Sequence, residues 1–247
     1  MQMGDLNSIP GTLPMTIILE HTATTDAWLV THSSVDLNSV STAEQAVELL
    51  GITADSPTNT WSAQKSYVEG FGKRLDYCLY RQPVRRGENP PILAAVETKV
   101  VFTERVPGIN TSYSDHFGLE ATLEIRQPVN NDRPTESDLS SATIATTIQA
   151  LTERLRLAKD RSRKEMIIFY LGLVLLLGVA VGTAWLPHSW INPIFIVFTI
   201  FIAWLTTTML YEGFLFGNWE QRALLNIIEE LEVHRNGVEI VAGRRSG

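Results

Sequence analysis

Apolar positions along this chain fall into three patterns, and each predicts a different element. From Leu13 to Thr25 and from Thr42 to Leu50 they recur at helical intervals, and Ser41 or Thr42 with Glu44 or Gln45 nearby supplies a helix start. Arg74 to Arg81, Ile92 to Glu104 and Leu119 to Arg126 read as strands, separated by the turn formers Gly87-Glu88-Asn89-Pro90-Pro91 and Pro107-Gly108. The third pattern is unbroken: Met166 to Leu186 and Ile191 to Tyr211 carry no charged side chain. A helix of about 21 residues spans roughly the 30 Å hydrocarbon core of a bilayer. Only Pro187, His188, Ser189 and Trp190 lie between them, which predicts a tight reversal. Trp185, Trp190 and Tyr211 stand near the ends, where amphipathic rings prefer the headgroup layer.

Glu136 to Lys164 has no Pro or Gly and is expected to be a helix running into the first span. After the second span, Leu224, Leu225, Ile228 and Leu231 keep helical spacing, and an Asn236-Gly237 turn with a short apolar run is expected to follow. Helices followed by strands indicate an α/β layered unit ahead of the membrane segment.

Charge sharpens this picture. The net charge is −7, with the acids spread along the chain, so clustered cations for a nucleic-acid backbone are missing and nucleic acid is not an expected partner. The one basic cluster, Arg154, Arg156, Lys159, Arg161, Arg163 and Lys164, directly precedes the first span. Such clusters stay cytosolic, so both termini are expected on the cytosolic side, and the same cations could hold anionic phospholipids among the membrane lipids. The single cysteine, Cys78, excludes an intramolecular disulfide and reads as a small apolar strand residue. The first residues, MQMGDLNSIPGTLP, lack the charged start and apolar run of an export signal.

Three short constellations carry chemistry. Gly4-Asp5-Leu6-Asn7 places a carboxylate and a carboxamide two residues apart, on one face if the segment is extended. In Gly72-Lys73-Arg74-Leu75-Asp76-Tyr77 one acid, Asp76, interrupts an apolar strand. In Tyr113-Ser114-Asp115-His116-Phe117-Gly118 an acid and an imidazole sit side by side before a strand. The imidazole is the side chain best suited to acid–base work near neutral pH.

In that order, GDLN, GKRLDY and SDHFGLEATL resemble the landmarks that close the endonuclease/exonuclease/phosphatase superfamily, to which deoxyribonuclease I belongs. More narrowly, GDLNSIPGTLPMTII, DSPTNTW, FGKRLDYCLYR, VVFTERVPG and SYSDHFGLEATLEI resemble the neutral sphingomyelinases and the fungal inositol phosphosphingolipid phospholipases C, which also carry two C-terminal membrane helices. The resemblance implies an α/β fold, the second half of a two-sheet sandwich followed by a two-helix transmembrane hairpin. It divides the chain into a catalytic half-domain over 1–130, a connecting helix over 131–165, spans at 166–186 and 191–211, and a cytosolic tail over 212–247. By resemblance, the enzyme is a Mg²⁺-dependent phosphodiesterase of the endoplasmic reticulum or a related internal membrane, acting on sphingolipid headgroups. His116 would be the catalytic imidazole and Asp76 its orienting acid. Asp5 would position or deprotonate the attacking water, Asn7 would donate to the phosphoryl oxygen, and Asp115 would stand beside the metal. The family's principal Mg²⁺ ligand is a glutamate upstream of GDLN, with further Asn and His motifs, and this sequence opens almost at GDLN. The expectation is that this polypeptide alone is inactive.

Competing assignments remain at this point. Asp76 followed by Glu97-Thr98-Lys99 imitates a restriction-type nuclease core, and a nuclease of the same superfamily is a related alternative. A non-catalytic membrane adaptor is another. Trp61 and Tyr80 could contact a headgroup, or could be core aromatics.

Overall fold

A computed structural model describes residues 1–36, 40–63, 71–82, 91–127, 139–185 and 191–245, with only the backbone described over 238–245. The chain divides into two compact units, Met1–Thr143 and Ile144–Gly247. The first is mixed α/β with two antiparallel sheets, and the second is helical.

In the first unit, strand β1 (Gln2–Asp5) leads through helix α1 (Leu13–Thr22) to the short strand β2 (Thr25–Asp26) and helix α2 (Ala27–Thr31). Helix α1 stops three residues before the spacing predicts because Ala23 turns left-handed at φ 48° and its N–H closes onto Glu20 O. Helix α3 (Ala43–Leu50) starts where expected: Thr42 Oγ1 accepts from Gln45 N at 3.2 Å, and Gly51 ends it at φ 71°. Strand β3 (Asp76–Tyr80) lies between β1 and β2 in the first sheet. Strands β4 (Ile92–Val101) and β5 (Gly118–Arg126) form the second sheet, with a bulge between Ala95 and Glu97. Phe102 takes φ 58°, which breaks the pleat and ends β4 short of the expected Glu104. The Pro107-Gly108 turn is present, with Ile109 N donating to Val106 O at 3.0 Å and Gly108 at φ 80°.

Strand β3 is buried on both sides. Tyr77 and Leu79 pack with Met15 of α1, while Cys78 and Tyr80 pack with Ala27 and Ala95 and against Leu93, Leu119, Ala121 and Leu123 of the second sheet. Residues of both sheets therefore share one apolar cluster. The larger aliphatic members, Leu79 and Met15, each contribute about 1.5–3 kcal/mol on full burial. A third cluster, Ala46, Val47, Ile52 and Phe117, seats α3 beside the start of β5. An ion pair joins this framework: Arg74 Nη2 donates to Asp26 Oδ2 at 2.7 Å, with both side chains 2% exposed.

In the second unit, helix α4 (Ser141–Gly182) ends in a 3-10 turn, Thr183–Trp185. Helix α5 (Asn192–Leu210) continues through a π-helical turn, Tyr211–Phe216, into helix α6 (Gly217–Arg245). Both continuous helical stretches contain a segment long and apolar enough to cross a membrane, and only 6% and 11% of those segments is buried by protein. The two stretches pack antiparallel: Gly172 lies against Thr206, Gly213 against Glu165 and Met166, and Gly217 against Ser162. Ser162 Oγ donates to Gly213 O at 2.6 Å. Small residues at these crossings let the backbones approach.

Of three expectations, one holds here and two meet a different outcome. The helix predicted to run into the first span does so, from Ser141 onward. The Asn236-Gly237 turn does not form, because α6 continues to Arg245. A two-residue turn is stabilised only when a partner strand follows, and without one helix propagation wins despite Gly237. Within the basic cluster, Arg154 Nη2 reaches Glu220 Oε1 at 2.8 Å, and Arg161 pairs with Glu220 Oε2. Arg156, Lys159, Arg163 and Lys164 are exposed and unpaired among the described residues. The turns expected at Gly87 to Pro90 and Pro187 to Trp190 lie outside the described residues.

Candidate functional site

The site grows from the N-terminal end of β3. Asp76 opens that strand, and its backbone N–H, like that of Leu75, donates to Thr53 Oγ1 at 3.2 Å. Thr53 is fully buried, so these bonds fix where the strand begins. The adjoining segment also fixes the imidazole: Ala54 bridges to both Lys73 and His116, and Phe117 N donates to Thr53 O at 2.7 Å. Two distant stretches are thus clamped on one short segment. His116 Nδ1 then meets Asp76 Oδ2 at 2.9 Å, with the two side chains 29% and 20% exposed. With the proton assigned to Nδ1, Asp76 accepts it and Nε2 is left as the ring's acceptor.

Asp5 joins this pair through sheet register. It is the direct cross-strand partner of Asp76 in the β1·β3 ladder, and directly paired residues project from the same face. Asn7 departs from the expected geometry. It takes φ 47°, and its N–H donates to Asp5 Oδ1 at 2.7 Å, so Asp5 and Asn7 form a turn and the strand-parity argument fails. Asp115 is exposed and accepts from Ser114 Oγ at 3.1 Å. Ser114 Oγ also accepts from His116 N at 3.3 Å.

Sequence reasoning missed the residues that hold this loop, although the DSPTNTW motif contains them. Asn59, buried, donates from Nδ2 to Ser114 O at 2.9 Å and accepts at Oδ1 from Trp61 N at 3.0 Å. Trp61 is exposed beside the loop and donates from Nε1 to Ser112 O at 3.1 Å, whereas Tyr80 is core. Lys73 Nζ pairs with Asp55 Oδ2 at 3.0 Å next to the Ala54 bridge. Burial pushes the Tyr77 phenol up to about 12; Arg74 opposes this, and Asp26 and Asp76 add to it. The protonated phenol donates to Ser8 O at 2.5 Å, which ties the GDLN loop to β3.

Two alternatives can be compared with this geometry. Glu97 and Lys99 lie on the exposed side of β4, where Lys99 Nζ pairs with Glu120 Oε1 at 2.9 Å. Asp76 shares its face with Cys78 and Tyr80, which pack on the inner side of that sheet. The nuclease-like Asp76, Glu97 and Lys99 are therefore not brought together. For a metal, no group of three or more His, Cys, Asp or Glu side chains converges among the described residues. The donors present do not by themselves make a Mg²⁺ site.

An imidazole held by a carboxylate, with a second carboxylate paired in register on the edge strand, is a candidate acid–base site on an α/β unit, in a chain with two helices long and apolar enough to cross a membrane. No protein-family model matches the chain. Curated relatives do. Inositol phosphosphingolipids phospholipase C of Schizosaccharomyces pombe is 33% identical over 93% of this chain and 54% of its own length. The enzyme of that name from Saccharomyces cerevisiae is 30% identical over 93% of this chain and 49% of its own length. A putative neutral sphingomyelinase of Caenorhabditis elegans is 25% identical over 73% of this chain and 39% of its own length. The chain is thus a relative of the inositol phosphosphingolipid phospholipases C along nearly all of its sequence. It spans about half the length of the curated relatives it matches, which fits a correspondence to their C-terminal part.

Proposed function

We propose that this chain is the His–Asp-bearing part of a membrane-anchored, Mg²⁺-dependent phosphodiesterase that cleaves the headgroup from sphingomyelin or an inositol phosphosphingolipid, leaving ceramide. The observation that carries the proposal is the 2.9 Å contact between His116 Nδ1 and Asp76 Oδ2, with Asp5 paired across the strand. Three motifs more than a hundred residues apart at their extremes converge there, in the family's order.

The roles follow from the chemistry. Asp76 orients His116 and stabilises its imidazolium, leaving Nε2 to take a proton from water or return one to the departing alkoxide. Asp5 is the second carboxylate within reach of the water. Asn7 carries the amide that would donate to a phosphoryl oxygen where charge develops. Asp115 is exposed beside His116 and suits a hydrated Mg²⁺, which keeps several waters. When bound, the metal would neutralise phosphoryl charge. Because the local donors do not form a metal site, its principal carboxylate is assigned to a part of the enzyme outside the residues described. On the same proposal the two sheets are half of a sandwich, and α4 and α5 form a transmembrane hairpin with cytosolic termini in an internal membrane. Arg156, Lys159, Arg163 and Lys164 then face the lipid headgroups.

A second proposal is a non-catalytic membrane adaptor, since no metal-ligand cluster lies among the described residues. One experiment separates the two. Membranes carrying the protein as its native transcript encodes it are assayed for Mg²⁺-dependent release of phosphocholine or inositol phosphate, with native chain and His116→Ala compared. Loss of about 10²-fold or more with unchanged expression supports the hydrolase. Absence of release from either substrate by the native protein contradicts it and supports the adaptor.

A further inference from the structure

The short segment that clamps the site also sets a cation beside it. Ala54 bridges Lys73 on one side and His116 on the other. It exchanges both backbone hydrogen bonds with Lys73, at 2.8 and 2.9 Å, whereas the pairing with His116 is closed by Phe117 N donating to Thr53 O at 2.7 Å. The first is a hydrogen-bonded pair and the second a non-hydrogen-bonded one, so Lys73 and His116 stand about 10 Å apart at Cα, with side chains directed to one face.

Asp76 belongs to that face as well. Leu75 and Asp76 both donate backbone N–H to Thr53 Oγ1, so one residue is extra ahead of β3 and residues three apart line up. Arg74 and Tyr77 do so, with the guanidinium 4.6 Å from the ring centroid. Lys73 and Asp76 are the corresponding pair on the opposite face, the face on which Asp76 meets His116.

Asp55 holds the lysine there, its Oδ2 accepting from Lys73 Nζ at 3.0 Å. The backbone around this pair is strained and closely fitted. Asp55 takes φ 54°, and Gly72 takes φ 116°, where a Cβ would lie 2.7 Å from Ala54 O. Strain of this kind gathers at ligand clamps. Both ends of the arrangement are open: the Lys73 side chain is 47% exposed and that of His116 29%. A phosphate at His116 therefore has its headgroup within reach of Lys73. An ammonium beside a carboxylate offers donors and acceptors together, which suits the hydroxyls of a polyol. A trimethylammonium offers neither, and it carries the same charge as Lys73, the more exposed member of the pair.

We infer that Lys73, positioned by Asp55, is a headgroup-selecting residue that hydrogen-bonds the hydroxyls of a polyol phosphate such as inositol phosphate and disfavours phosphocholine. The inference rests on the proposed phosphodiesterase activity for the position of the phosphate at His116.

The test measures turnover and binding side by side, on the protein as its native transcript encodes it. Membranes carrying the native form, Lys73→Met or Lys73→Arg are assayed for kcat/KM on an inositol phosphosphingolipid and on sphingomyelin. Lys73→Met should shift the ratio of the two about tenfold or more toward sphingomyelin, through KM for the inositol substrate, and Lys73→Arg should restore most of it. Equilibrium dialysis of radiolabelled inositol 1-phosphate and phosphocholine against the same proteins in nanodiscs should show the same tenfold change in preference. Equal losses on both substrates would reduce Lys73 to a structural tie and overturn the inference, as would an unchanged ratio. If the native protein turns over neither substrate, the phosphodiesterase activity fails and dialysis decides alone. A Lys73-dependent preference for inositol phosphate then sustains the inference, and its absence overturns it.

Discussion

At the scale of single residues, the site depends on side chains that do no chemistry. Thr53 Oγ1 accepts from two backbone N–H groups at the start of β3, and Thr53→Val keeps the shape while leaving both donors unsatisfied. A loss of about 1–3 kcal/mol is expected, measured by thermal or denaturant unfolding of the first unit's signal in the full chain. Tyr77 makes a pH prediction. Its folded pKa is raised to about 12 from the usual 10, so the fold binds the phenolic proton more tightly than the unfolded chain does. That contribution is fully present below pH 10 and is lost as pH rises through about 12. Tyr77→Phe should remove the alkaline slope between those limits and, by losing the bond to Ser8 O, cost about 1 kcal/mol near neutrality. A titration of stability against pH in both forms checks this. At this scale the sequence was readable where chemistry imposes a motif: Asp76 and His116 meet at 2.9 Å, and Asp5 is paired with Asp76 in strand register. It was silent on Thr53 and Arg74, whose importance comes from burial, which no local spacing encodes. It misjudged Asn7, because an Asx turn competes with strand geometry in a four-residue motif.

Elements with strong periodicity were legible, and their ends were not. The existence of α1, α3, β3, β4 and β5 followed from apolar spacing, but α1 and β4 end at Ala23 and Phe102, both non-glycine residues at positive φ. Nothing in their side chains announces that conformation. The continuous α6 was missed for a related reason: an Asn-Gly pair signals a hairpin only if a strand is available to pair. The helix pair of the second unit yields its own prediction. Gly172 faces Thr206 so closely that a larger side chain must push the helices apart. Gly172→Leu should separate α4 from α5 and reduce crosslinking between cysteines placed at 169 and 209, whereas Gly178→Leu, at a glycine with open space around it, should leave crosslinking unchanged. Equal crosslinking in all three forms would show that this contact does not organise the pair.

For the whole molecule, the sequence separates two solvents and the structure agrees: a mixed α/β unit with shared apolar clusters, and helices whose apolar segments are almost uncovered by protein. That distribution argues against soluble core helices, which bury their apolar faces. The family resemblance carried by five motifs agrees with the curated relatives, of whose length the chain spans about half. The central claim is that His116 and Asp76 act as one unit in a phosphodiesterase, and a double-mutant cycle tests it most directly. Headgroup release by the protein as its native transcript encodes it would be measured for the native form, His116→Ala, Asp76→Asn and the double variant. The account predicts that each single change lowers activity by about 10²–10⁴ and that the double change is no worse than His116→Ala alone. Multiplicative losses, or full activity in His116→Ala, would contradict it.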